Sequence, residues 1–377
     1  MVAEHTGNVG RWETIESESA GLTRGADEAI DRRFRVPYGD TLRTMDQFSA
    51  HIDRGWDLVQ KGDTRGAAAS ARQALELDPQ SAEANNLLGF VATLDGDAYE
   101  AVEFYCQAVA LDDTYLEAML SAAEVYIHPL AQYDDALSMC EQALVLAESD
   151  EEVTDTLLLM FDAMIGKSDL AAARSIVMRI PSGPYENPNH TFLICRAFFE
   201  IGEVSLATPL IEEATTSDPS HAEAWYYLAL VRDERGDSQG ATSAFIRARE
   251  LDMLEPPLPW TSPREFFHQV VVTAMKSLAP ELKEYVGQAE VFIGDTPGIE
   301  LVADGVDPRA LLVLDLLGSA DSPDPPCGRV FVYQRNVERV AGAPDRLEAT
   351  IIEAFEREIE STFGDESEDG SDNAPQA

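Results

Sequence analysis

Gly62-Asp-Thr-Arg-Gly-Ala67, Gly96-Asp-Ala-Tyr-Glu-Ala101, Gly166-Lys-Ser-Asp-Leu-Ala171, Gly202-Glu-Val-Ser-Leu-Ala207 and Gly236-Asp-Ser-Gln-Gly-Ala241 each place a glycine five residues ahead of an alanine. The glycines are separated by 34, 70, 36 and 34 residues. The step of 70 conceals one further copy, which Tyr133-Asp-Asp-Ala136 supplies after a small insertion around His128-Pro129. Six copies of one unit therefore run through the middle of the chain. A unit of that length cannot bury an apolar face alone and is stable only when stacked on its neighbours.

The copies resemble the tetratricopeptide repeat, a helix-turn-helix of about 34 residues with aromatic, small and proline signature positions. The last copy reads Trp225-Tyr-Tyr-Leu228-Ala229, then Ala241, Phe245 and Ala248; the second reads Leu88-Gly89, then Ala101, Tyr105 and Ala108. Pro79 and Pro219 close the first and fifth copies, where a proline stops the second helix. Cys140 and Ser175 stand where the third and fourth copies should carry an aromatic, and Pro181-Ser-Gly-Pro184 makes a longer connection. Small residues (Gly55, Gly89, Ala123, Ala229) are expected to let the two helices of one repeat approach, while Leu88 and Phe245 fill the space between repeats. The resemblance implies a solenoid of about six helical hairpins over residues 48–253.

A solenoid of this family lines a concave groove with the first helix of each repeat, suited to an extended peptide or a partner helix. By register the groove positions are Trp56, Asn86, Phe90, Glu124, Arg196, Phe199, Tyr226 and Asp233. Some members of the family grip a partner's C-terminal carboxylate with Lys and Asn side chains. Ile52 and Trp56 occupy the first repeat's groove positions, and of the whole set only Asn86 suits such a clamp, which disfavours that mode.

Charge narrows the choice of partner. The 377 residues contain 69 Asp and Glu against 27 Lys and Arg, a formal net charge of -42, so a cationic phosphate-binding surface and nucleic acid as a direct partner are excluded. From Gln73 to Ala173 there are 21 acids and a single basic residue, Lys167. Such a field attracts a basic protein or peptide and repels acidic ones. No apolar run is long enough to span a membrane, which takes roughly 18 residues. The opening residues show no basic cluster followed by an apolar stretch, and the four cysteines form no C-x-x-C pair. The expectation is a cytoplasmic chain without disulfides, metal or cofactor.

Pro256, Pro257 and Pro259 end the repeats, and residues 254–262 read as a linker. Beyond it, residues 263–364 read as a small α+β domain. Phe267, Val270, Val271, Ala274 and Leu278 lie at helical spacing in Arg264–Leu278, and Ile351, Phe355, Ile359 and Phe363 form a stripe in Asp345–Phe363. Glu290–Gly294 and Arg329–Tyr333 read as strands, while the apolar segment 310–318 fits either state. The polar arm 1–45 and the acidic tail 365–377 are expected to be disordered.

This second part resembles the minimal, single-domain zincin-like metallopeptidases of bacteria. The resemblance rests on Leu316-Leu317-Gly318, on the strand Arg329–Tyr333 running into Gln334-Arg-Asn-Val-Glu-Arg339, and on a last helix ending Phe363-Gly364. That family closes the helix with H-E-x-x-H-x-F-G and adds a carboxylate ligand just beyond. Here the same stretch reads Arg357-Glu358-Ile359-Glu360-Ser361-Thr362-Phe363-Gly364, and Ser367 stands at the later ligand position. Zinc hydrolysis needs two imidazoles one turn apart, a third ligand, an open position for water and a glutamate base. Arg357 cannot shed its proton to bind a metal, Ser361 replaces the second histidine, and Glu358 is left without a water to activate. The resemblance thus implies a degenerate pseudo-metallopeptidase domain on an interaction scaffold, with no catalytic or metal-binding set. The alternative is an active hydrolase that uses carboxylate ligands or His268 folded back onto the last helix; Glu353, Glu356, Glu360, Asp365, Glu366 and Glu368 could coordinate a hard cation such as calcium weakly, but their spacing matches no calcium loop. The simpler reading of those carboxylates is a solvated face, with Glu353 and Arg357 as an i, i+4 pair worth about 0.3–0.5 kcal/mol. A third role for the domain is to cap the last repeat.

Overall fold

The computed structural model describes residues 38–185, 187–316 and 327–363. Most of the expected N-terminal arm, the acidic tail with Ser367, and Leu317, Gly318 and Gly364 lie outside the described residues. The chain divides at Gly202 into two compact units.

The first unit is built of helical hairpins. Its helices are α1 (Tyr38–Gln60), α2 (Thr64–Leu77), α3 (Ala82–Asp95), α4 (Ala98–Leu111), α5 (Leu116–Ile127), α6 (Tyr133–Leu146), α7 (Asp150–Gly166), α8 (Leu170–Val177) and α9 (Pro188–Glu200). Each turn between paired helices uses one residue in the left-handed region, where glycine is free of steric penalty. Gly62 (φ 74°) and Gly96 (φ 81°) fill it in the first two pairs, Ala131 (φ 53°) and Ser168 (φ 60°) in the next two. An aspartate follows in three of the four and caps the next helix. Asp63, Asp97 and Asp169 accept the backbone N–H of Gly66, Glu100 and Ala172 at 2.9, 3.1 and 3.0 Å.

This corrects the register of the fourth copy. Its turn residue is Ser168, not Gly166, because α7 runs 17 residues where α3 has 14. Gly166 instead gives room to Tyr133, whose ring would lie 2.3 Å from an added Cβ. The buried residue nine positions beyond the turn is accordingly Val177 rather than the exposed Ser175, matching Tyr105 and Cys140 in the copies before it.

Close packing follows from the small residues. A Cβ on Gly89 would stand 2.7 Å from the Tyr105 ring of α4, and one on Gly55 would stand 2.4 Å from Leu87 of α3. Gly89 thus serves contact within a repeat as expected, whereas Gly55, expected to do the same, faces Leu87 of the next repeat and serves contact between repeats.

The second unit begins with α10 (Val204–Ser217), α11 (Ala222–Glu234) and α12 (Ser238–Asp252). The turn before α10 uses Gly202 (φ 78°), and that between α11 and α12 uses Gly236 (φ 78°) followed by the Asp237 cap. Next come α13 (Arg264–Ser277), α14 (Pro280–Val286), β1 (Glu290–Gly294), α15 (Ile299–Ala303), β2 (Leu312–Asp315), β3 (Arg329–Tyr333), α16 (Gln334–Ala341) and α17 (Leu347–Phe363). The segment left open in the sequence supplies β2. The sheet order is β1-β3-β2, with β1 parallel and β2 antiparallel to β3. Phe267, Val271 and Ala274 of α13, Val330 and Val332 of β3, and Ile351 and Phe355 of α17 are fully buried in one core. The apolar stripes of both flanking helices therefore face the central strand. No helix among the described residues is long and apolar enough to cross a membrane.

Candidate functional site

In the first unit the candidate groove residues lie on the first helix of successive hairpins. Trp56 of α1 and Phe90 of α3 pack ring against ring, centroids 5.4 Å apart. Glu124 of α5 is half-buried at the same register position as those two. Arg196 of α9 reaches Asp162 of α7 through two bonds, 2.7 and 2.9 Å from one nitrogen to both carboxylate oxygens. Phe199 is half-buried on α9.

Asn86 is the most enclosed of the set, 1% exposed. Its Nδ2 donates to the Tyr115 phenol oxygen at 3.1 Å and towards Glu117 Oε1 at 3.4 Å. Its Oδ1 is buried and receives no hydrogen bond.

Around it stands an acidic ladder. Glu83 on α3 and Glu117 on α5 occupy the second position of their helices, 34 residues apart. Burial raises the Glu83 carboxyl above its ordinary value, and the charges of Asp53 and Glu117 raise it further. The Tyr115 phenol is likewise pushed up, by burial first and then by Glu117 and Glu83. The repulsion between the Glu83 and Glu117 carboxylates would be eased by a positive charge. The 34-residue spacing of the acids is visible in the sequence, but apart from Trp56 in the longer α1 the positions read as groove were the fifth, ninth or twelfth of their helices, and Glu83 and Glu117 stand at the second.

In the second unit Tyr226 of α11 is held by the segment before β2. Its phenol donates to Asp307 Oδ2 at 2.8 Å, and the Arg309 guanidinium carbon lies 4.3 Å from its ring centroid. Arg309 donates to Glu223 of α11 at 2.7 Å and to Asp252 at the end of α12 at 3.1 Å. Arg339 of α16 adds bonds to Asp252 at 3.0 Å and to Glu255 at 2.8 Å. Burial opposes the Arg309 charge, and the two carboxylates more than reverse this and keep it protonated. Asn336 of α16 fixes the segment by donating to the carbonyls of Pro308 and Ala310 at 3.0 and 2.8 Å. Asp233 is exposed near the end of α11.

On α17, Arg357 and Ser361 are exposed and Glu358 is half-buried, its carboxyl raised by burial. Among the described residues no three His, Cys, Asp or Glu side chains converge as a metal site. No ion pair joins Glu353 to Arg357, two exposed side chains whose hydration competes with pairing. His268 is exposed on α13, beside Val291, Phe292 and Ile293 of β1, in a shallow depression of about 460 Å³ to which α17 contributes no side chain.

Comparison with known proteins adds the family of the repeats. The tetratricopeptide repeat family profile matches residues 52–115 and 193–256. No curated protein matches the sequence. Among solved structures, that from a functional characterization of Pseudomonas aeruginosa pilF is 18% identical, covering 56% of this chain and 95% of its own, with a TM-score of 0.49. PilW, a type IV pilus biogenesis factor, is 14% identical over 55% of this chain and 94% of its own, with a TM-score of 0.49. The tetratricopeptide-repeat protein YrrB is 19% identical over 50% of this chain and 95% of its own, at 0.38. Residues 52–115 and 193–256 of this mainly helical chain are thus similar to tetratricopeptide repeats.

Proposed function

We propose that this chain is an interaction scaffold whose repeats capture a basic polypeptide segment on the acidic face of α1, α3 and α5. The observation that carries this reading is Glu83, an exposed carboxylate in the first turn of α3 set beside two like charges, Asp53 and Glu117. Like charges gathered on one face lower their repulsion by taking up a cation. The all-but-uniform acidity from Gln73 to Ala173 extends the same attraction along the groove. Residues 263–364 are read as a zincin-like domain that has lost its metal, a reading supported by the Arg357-Glu358-x-x-Ser361 sequence and by the half-burial of Glu358 without a cationic partner among the described residues. The bonds of Arg309 and Arg339 to the last hairpin support a capping role for that domain. All four cysteines are free thiols, which suits a reducing compartment such as the cytoplasm.

The test compares fluorescein-labelled hexaarginine and hexaglutamate for binding to the full chain at low and high salt. Capture of the cationic peptide alone, weakening as salt rises, is the expected result. Equal binding of both peptides, or of neither, contradicts the reading. For the second domain, zinc by atomic absorption should be far below one equivalent and casein should remain intact; stoichiometric zinc with EDTA-sensitive cleavage would refute its degeneracy.

A further inference from the structure

One short stretch of this acidic chain is cationic. Arg32-Arg33-Phe34-Arg35 holds three arginines in four residues, and no other four consecutive residues contain three basic side chains. It precedes α1 and lies outside the described residues. The groove between α1 and α3 has the complementary composition. Trp56 and Phe90 pack ring against ring there, and neither is fully buried. Asp53 lies one turn from Trp56 on α1, and both Asp53 and Glu117 stand close enough to Glu83 for their charges to act on its carboxyl. An aromatic residue set between arginines thus answers an aromatic pair set among carboxylates. Charge draws the two together, and ring contact fixes the place.

Reach decides which molecule supplies the segment. Trp56 stands about 27 Å along α1 from Tyr38, at 1.5 Å per helical residue. The stretch from Phe34 to Tyr38 spans at most about 14 Å when fully extended. Phe34 therefore stops about 13 Å short of Trp56 in its own chain, beyond ring contact. Only a second molecule can bring it there.

We infer that Arg32-Arg33-Phe34-Arg35 of one copy docks in the α1–α3 groove of a second copy, with Phe34 against the Trp56–Phe90 pair and the arginines beside Asp53, Glu83 and Glu117. The chain is then its own basic partner, and any other cationic segment competes with this one for the groove. A segment of one molecule in the groove of another is a heterologous contact, which closes into a dimer when two copies exchange segments.

This inference rests on the proposed capture of a basic segment, and the experiment separates the two. Benzoylphenylalanine replaces Phe34 in the full chain, which is irradiated at physiological salt and run on a denaturing gel. The expected product is a covalent dimer whose adducts, mapped by mass spectrometry after proteolysis, lie on α1 and α3 near Trp56 and Phe90. Excess hexaarginine should abolish it. Adducts within one chain only, or on helices beyond α5, would overturn the inference. Sedimentation velocity of the unsubstituted chain should show association that rises with concentration. The triple variant Arg32→Gln, Arg33→Gln, Arg35→Gln should weaken it about tenfold, the scale of three exposed ion pairs. These substitutions precede α1 and leave every described helix unaltered. Association equal to that of the parent would contradict the docking. If the parent chain stays monomeric while labelled hexaarginine binds it, this segment is not the occupant and the acidic-groove reading stands. If hexaarginine does not bind and no covalent dimer forms, both fall.

Discussion

Arg309 stands over the ring of Tyr226, its guanidinium carbon 4.3 Å from the ring centroid, and from there it bonds to carboxylates on both helices of the last hairpin. One side chain from the loop before β2 therefore satisfies Glu223, Asp252 and an aromatic face together. The guanidinium is 14% exposed and Asp252 8%. Burial at that level makes the pair costly to break, since removing one partner strands the other charge.

Arg309→Ala is expected to destabilise the second unit by about 2–4 kcal/mol, towards the scale measured for losing one partner of a buried pair. Arg309→Lys should recover less than half of that, because an ammonium cannot reproduce two separate bonds and the stacked plane. Chemical denaturation of the full chain, followed by circular dichroism, reads both. Arg309→Ala with unaltered stability would show the contact to be superficial.

The two carboxylates Glu83 and Asp252 should give opposite pH signatures. Glu83 is raised by burial and by Asp53 and Glu117, so the folded state binds its proton more tightly than the unfolded chain. Stability of the first unit should then rise as pH falls from neutral towards the folded value of that carboxyl. For Asp252, burial opposes the charge, but the bonds from Arg339 and Arg309 outweigh it and hold the carboxyl below its ordinary value. Its contribution is present above the unfolded carboxylate pKa and disappears as pH falls through the lower folded one. Glu83→Gln should accordingly raise the melting temperature at pH 7, with the gain fading below about pH 4. A Glu83→Gln variant that melts lower than the parent at pH 7 would contradict this assignment.

Gly89→Val should destabilise the second hairpin by about 2–3 kcal/mol, since the first added carbon meets the Tyr105 ring at 2.7 Å and that ring is itself 1% exposed. Tyr105 cannot swing away without giving up its contact with the Thr93 hydroxyl at 3.4 Å. Thermal unfolding of the variant measures the loss; a wild-type melting temperature would mean that the two helices slide apart freely.

The repeats were legible because their turns demand a particular backbone. A residue with positive φ followed by an acid recurs at Gly62-Asp63, Gly96-Asp97, Ser168-Asp169, Gly202-Glu203 and Gly236-Asp237; the four aspartates cap the next helix, and four of the five turns use glycine. Register slipped at the fourth copy for the same reason. Ser168 takes the left-handed conformation without being glycine, and the nearby Gly166 answers instead to the ring of Tyr133. In the second part, the runs Glu290–Gly294 and Arg329–Tyr333 became β1 and β3, since β-branched and aromatic residues bounded by glycine leave few alternatives. The segment 310–318 was ambiguous because an apolar run has no period, and pairing with β3 makes its middle a strand. Arg309 was not legible as a site. Its partners Asp252 and Glu223 lie 57 and 86 residues away, and no local pattern marks such a contact.

The central claim, that the first helices of the early repeats receive a cationic segment, is tested most directly by photo-cross-linking. A benzoylphenylalanine introduced at Phe90, in the groove, is compared with one at Val145, 85% exposed on α6. Each protein is irradiated with biotinylated hexaarginine at physiological salt. The account predicts a covalent adduct at position 90 that excess unlabelled peptide removes, and little at position 145. Equal labelling at the two positions, or labelling at position 145 alone, would contradict it.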